Sequence, residues 1–213
     1  MRWMSVLLVL LSLSTAEARP KWAIDLYDAA GTISVRDARM GLVGGAKGED
    51  ATIDLTVVDL IKYTGHLCAG GASGFMVARA ALKKLFGEGV TDRGQITAVV
   101  SEVHDVSDVL AYVIGARLGQ GEVVIEIDPK LALENKVVMV LTRKDTKASV
   151  KAVWSMETLF TALPKADRAR FIALKKKVKA DTITAVEKTE FGRLMQVMIK
   201  AVLTSAVVPY TIE

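Results

Sequence analysis

Gly65-His66-Leu67-Cys68-Ala69-Gly70-Gly71-Ala72-Ser73-Gly74 separates two segments of helical pattern, and its reading sets the architecture. Upstream, Val57, Val58, Leu60 and Ile61 fall at helical spacing and the pattern stops at Tyr63-Thr64-Gly65, which predicts a short helix ended by glycine. Downstream, Phe75 to Phe86 places Met76, Ala80, Leu82 and Leu85 on one face, and Gly87-Glu88-Gly89 closes a second helix. The stretch between them reads as a glycine-lined bend at the entrance of that second helix.

Farther along, Gln95 to Ser101 reads as a strand, Val106 to Leu118 as a helix and Glu122 to Asp128 as a strand. Lys136 to Thr142 and Ala148 to Trp154 read as two strands joined across Lys144-Asp145. The order helix, strand, helix, strand, strand, strand predicts an α+β fold, a small mixed sheet with helices on one face. After Trp154 the pattern turns helical again: Met156 to Leu163, the charged Lys165 to Lys179, and Val186 to Ser205 with Phe191, Leu194, Met195, Met198 and Val202 on its apolar side. These predict a C-terminal helical hairpin, so that 19–155 forms an α+β domain and 156–213 a helical extension. Residues 19–53 read as a loop-rich entry with a short helix near Ser34 to Met40.

Composition limits the function classes. A chain of 213 residues with 51% hydrophobic residues and one Cys is neither disordered nor a disulfide scaffold. Arg2, the apolar run Val6 to Leu13 and Ala16-Glu17-Ala18 have the form of a secretory signal peptide over residues 1–18, cut before Arg19. A periplasmic or secreted location is therefore expected, with no transmembrane segment in the mature chain. Loss of Arg2 and Glu17 leaves the net charge at +4. The cluster Lys175-Lys176-Lys177-Lys179 reads as the solvated face of a helix rather than a nucleic-acid patch.

Cys68 has no partner within its own chain. It is open to four roles: a buried apolar residue, an intermolecular partner, a reactive thiol or a metal ligand. His66 and Cys68 are the close pair of strong transition-metal donors, in a bend flexible enough for both to converge on one ion. The competing reading is a buried Cys beside an incidental His. His104, in Ser101-Glu102-Val103-His104-Asp105-Val106-Ser107-Asp108, stands between a predicted strand end and a helix start. Asp105 and Ser107 there suit helix caps as well as ligands or a second shell for His66. Gly115-Ala116-Arg117-Leu118-Gly119-Gln120-Gly121 follows a helix, the wrong order for a dinucleotide fingerprint, and reads as a helix cap and turn.

Gly65-His66-Leu67-Cys68 with Gly70, then Asp108, Gly115, Gly119, Gly121 and a strand, resembles the formylmethanofuran dehydrogenase E-subunit family over roughly Thr56 to Val140. The resemblance implies an α+β domain akin to the catalytic domain of glyceraldehyde-3-phosphate dehydrogenase, a metal site at the His-x-Cys motif with zinc as the metal, and a homodimer. Ala69 stands where the family usually has Pro, and Asp105 and Ala116 where many members carry further Cys. The site must then add Asp105 or His104 to His66 and Cys68. These observations lead to the expectation of an exported metal-binding protein whose partners are a metal ion or small molecule. The alternatives are a thiol- or metal-dependent enzyme and a carrier of haem or an organic cofactor.

Overall fold

A computed structural model describes residues 21, 24–37, 39–40, 43–44, 52–116 and 125–213. The expected signal peptide and the turn from Arg117 to Gly121 lie outside the described residues.

The order of regular elements is β1 (Ile33–Arg36), β2 (Thr52–Leu55), α1 (Val57–Thr64), α2 (Ala69–Phe86), β3 (Thr91–Asp92), β4 (Ile96–Val100), α3 (Asp105–Ile114), β5 (Ile125–Ile127), β6 (Lys136–Arg143), β7 (Ser149–Ser155), α4 (Met156–Phe160), α5 (Lys165–Lys179), α6 (Ala185–Leu203) and β8 (Tyr210–Ile212). The main sheet has the order β5-β4-β6-β7-β8; β4 and β5 run parallel and the other neighbours antiparallel. A smaller sheet, β2-β1-β3, joins the N-terminal segment to the chain after α2.

Strand period two explains which face of the main sheet is covered. Ile96, Ala98 and Val100 of β4 are buried; the register sets Ala98 opposite Leu141 and Val100 opposite Met139, then Met139 opposite Ala152 and Val137 opposite Trp154. All of these side chains line one buried face, on which α2 packs while α3 packs on α2. The α+β architecture with a C-terminal helical region is thus as the sequence predicts.

Two local expectations are revised. The first part of the helix expected over Ser34 to Met40 is strand β1, whose Ile33 and Val35 are buried while Ser34 and Arg36 are not; Arg39 and Met40 are helical. Its partner β2 is held partly by the Ser34 hydroxyl donating to Asp54 at 2.6 Å, a pairing across a glycine-containing segment that local periodicity does not reveal. The second helix begins at Ala69 rather than Phe75, so most of the glycine-lined bend is its first turn and a half. Those small residues serve packing. A Cβ at Gly74 would lie 2.8 Å from Val109 Cβ and 3.0 Å from the Val106 carbonyl oxygen, so α2 and α3 approach as closely as they do only because position 74 is bare.

Lys176, Lys177 and Lys179 of the basic cluster on α5 are exposed as expected, while Lys175 is half-buried. Arg170 pairs with Glu190 at 2.6 Å and Lys177 pairs with Glu187, both across to α6. Among the described residues, no helix is long and apolar enough to cross a membrane.

Gly74→Ala should cost about 1–3 kcal/mol in urea unfolding, as overpacking does. Gly192→Ala, in α6 with nothing within 4 Å of an added Cβ, should instead stabilise by about 0.5–1 kcal/mol through the helix-propensity gain. Equal effects from the two substitutions would contradict the packing role of Gly74.

Candidate functional site

Cys68 is the N-cap of α2, and its sulfur accepts the Gly71 N–H at 3.2 Å. Asp105 is the first residue of α3. The close contact at Gly74 brings these two helix starts together, and the Cys68 thiol donates to Asp105 Oδ2 at 3.0 Å. Gly70 makes room for the pair: a Cβ there would lie 3.1 Å from Asp105 Oδ2 and 3.5 Å from the sulfur. Beside them the Ala69 N–H donates to Met195 Sδ at 3.3 Å, tying α6 to the start of α2.

The electrostatics keep Cys68 protonated. Burial pushes the thiol up to about 11, and the Asp105 carboxylate adds to the rise by accepting its proton; the Gly71 amide opposes without prevailing. A cysteine nucleophile needs the opposite shift, toward the thiolate.

The two histidines occupy different settings. His104 caps α3, its Nδ1 accepting the Val106 N–H at 3.2 Å while Ser107 Oγ accepts the His104 N–H at 2.8 Å. The capping falls to His104 and Ser107, which leaves the Asp105 carboxylate free for Cys68. With Nδ1 accepting, the neutral ring carries its proton on Nε2, so it offers no lone pair unless the cap breaks. His66 is the reverse case. Its imidazole is exposed on the turn between α1 and α2, with Nδ1 3.3 Å from the Thr64 carbonyl oxygen, a contact in which only the ring can donate. In the neutral tautomer that makes this contact the lone pair is on Nε2.

A cavity of about 120 Å³ opens beside the Cys68–Asp105 pair, walled also by His104, Trp154, Met156, Phe160, Phe171, Phe191, Met195 and Met198. The His104 ring lies against Trp154, centroids 4.9 Å apart. The structure therefore brings together Cys68, Asp105 and His104 and leaves His66 off the cavity wall. Among the described residues, no three His, Cys, Asp or Glu side chains cluster closely enough to hold a metal as they stand. Sequence reading missed Met195, Trp154 and the phenylalanines as site residues; their helical and strand periodicity marked them only as core.

This is an α+β protein whose site lies where two helix N-termini meet over a cavity closed by C-terminal helices. The family described as "FmdE, Molybdenum formylmethanofuran dehydrogenase operon" matches residues 63–208, well over half of the chain, and the chain belongs to that family. The match takes in Cys68, Asp105 and the cavity-forming helices alike. No curated protein and no solved structure matches the chain.

Alkylation of Cys68 should be slow at pH 8, where about one thiol in a thousand is ionised, and should accelerate toward pH 11. Asp105→Asn removes the anionic acceptor but not the burial, so it should move that midpoint part of the way back toward an ordinary thiol. A fast-reacting wild-type thiol at pH 7 would contradict the assignment.

Proposed function

We propose that this chain is a metal-binding member of its family, with Cys68 and Asp105 as the paired donors, His66 as the third, and zinc as the metal. The observation that carries the reading is the 3.0 Å contact between Cys68 Sγ and Asp105 Oδ2. Two anionic donors share one proton there, at the start of two helices, and a cation can take the proton's place. A thiolate and a carboxylate suit zinc, and an imidazole is the usual companion.

The donors fit a metal in part. Cys68 and Asp105 already face each other, and His66 has the tautomer of a metal-binding imidazole, its other nitrogen donating to a backbone carbonyl. His104 is assigned to the cap and the cavity wall instead. With three protein donors the ion would retain an open position for solvent or a small ligand, and it would supply Lewis acidity there. The family's association with the operon of a molybdenum enzyme supports a metal-linked role for the chain, although it names no metal for this site. Export through the leader at residues 1–18 and assembly as a homodimer belong to the same proposal. A mature mass beginning at Arg19 and a dimeric mass by light scattering are the expected results.

Elemental analysis of untagged protein equilibrated with zinc and desalted should give one ion per chain. Cys68→Ser and Asp105→Asn should abolish stoichiometric retention, His66→Ala should weaken it, and His104→Ala should retain the ion while losing about 1 kcal/mol of stability with the cap. Because the Sγ proton must leave, apparent affinity should rise about tenfold per pH unit between pH 6 and 8, below the thiol's own titration. A metal-free wild type, or full retention in Cys68→Ser, would overturn the reading.

A further inference from the structure

The cavity beside Cys68 is more apolar and more aromatic than an ion requires. Phe171 and Phe191 stack with centroids 5.0 Å apart and 10° between planes, and Phe160 meets Phe171 edge-on at 6.1 Å. Trp154 closes the sheet side, and Met195 and Met198 of α6 line the helical side. A volume of about 120 Å³ is close to that of an apolar cavity known to admit benzene, ~150 Å³. The space is the size of one six-membered ring.

Two polar groups of wall residues lack partners among the described residues. Lys175 of α5 is half-buried against the cavity and makes no ion pair there, although Arg170 and Lys177 of the same helix are paired with glutamates. The Trp154 Nε1–H is buried and finds no acceptor. An anion entering the cavity would find in Lys175 a cation with no ion pair of its own. Asp105, the carboxylate on the wall, would repel an anionic head group and so directs it toward Lys175.

We propose that the cavity binds a small aromatic carboxylate, its ring between Trp154 and the phenylalanines and its carboxylate on Lys175. The aromatic walls favour a planar ring over an aliphatic one, because ring pairs gain more than the area they bury accounts for. A single lysine matches a singly charged head group. The inference rests on the cavity and not on the metal reading, and Cys68 contributes wall rather than contact.

The test is a fluorine NMR titration of 4-fluorobenzoate into the full mature chain, with 4-fluorobenzyl alcohol as the neutral analogue and cyclohexanecarboxylate as an aliphatic competitor. Saturable one-to-one binding of 4-fluorobenzoate is expected, with cyclohexanecarboxylate a poor competitor. Lys175→Met should weaken 4-fluorobenzoate about fivefold, the worth of a partly screened ion pair, and leave the alcohol unchanged. Lys175 is not part of the core, so the variant should melt as the wild type does. Chelator-treated wild type should bind 4-fluorobenzoate as the untreated protein does. Absence of saturable binding at millimolar concentration, equal affinity in Lys175→Met, or equal competition by the aliphatic acid would each overturn the proposal. Loss of binding on chelation would place the carboxylate on a metal and overturn the proposal while sparing the metal reading; binding by a wild type that retains no zinc would do the reverse.

Discussion

Helices α2 and α3 can start side by side because Gly74 presents no side chain to Val106 and Val109. Everything at the site follows from that approach. Were the helices separated by the width of a methyl group, Asp105 would no longer reach the Cys68 sulfur, and the first turn of α2 would shift against Met195. Gly70 repeats the device one turn earlier, clearing the space that the carboxylate occupies. The glycines of this segment thus act through close packing of two rigid helices, with Gly65 as the residue that needs a left-handed backbone, φ 79°, to end α1 and redirect the chain.

Meeting helix starts set up a competition of fields. Backbone amides at both N-termini favour negative charge, and Gly71 donates directly to the sulfur. Burial and the neighbouring carboxylate win at Cys68, so the pair holds a proton rather than two charges. That balance disfavours the thiolate, so the thiol keeps its proton at neutral pH. The same logic sorts the histidines, since a ring that accepts from a backbone amide and a ring that faces a carbonyl present opposite nitrogens to their surroundings.

The C-terminal helices complete the cavity. Phe191, Met195 and Met198 of α6 face inward, and Leu194, Ile199 and Val202 join the core of the same body. The apolar face of α6 is therefore used within the chain, against α2 and the cavity. Ion pairs between α5 and α6 keep the two helices in register at their exposed side, which holds Phe171 against Phe191.

Local chemistry made much of this legible in advance. The limits of α5, the β6–β7 hairpin, and the prominence of Cys68 and Asp105 all follow from periodicity, turn residues and the scarcity of strong donors. What sequence could not supply was any contact between residues far apart in the chain. Strand β1 was hidden because its partner lies beyond a glycine-containing segment, and β8 because three residues pair only once β7 is in place. The glycines before Phe75 suggest a flexible bend when read locally, yet inside a helix they permit contact with α3. Cys68 meets Asp105 across 37 positions, and Met195 meets Ala69 across 126. Residue types and short-range spacing are properties of the chain itself. Distances between side chains, the proton they share and the cavity beside them arise only when separate elements are packed to contact.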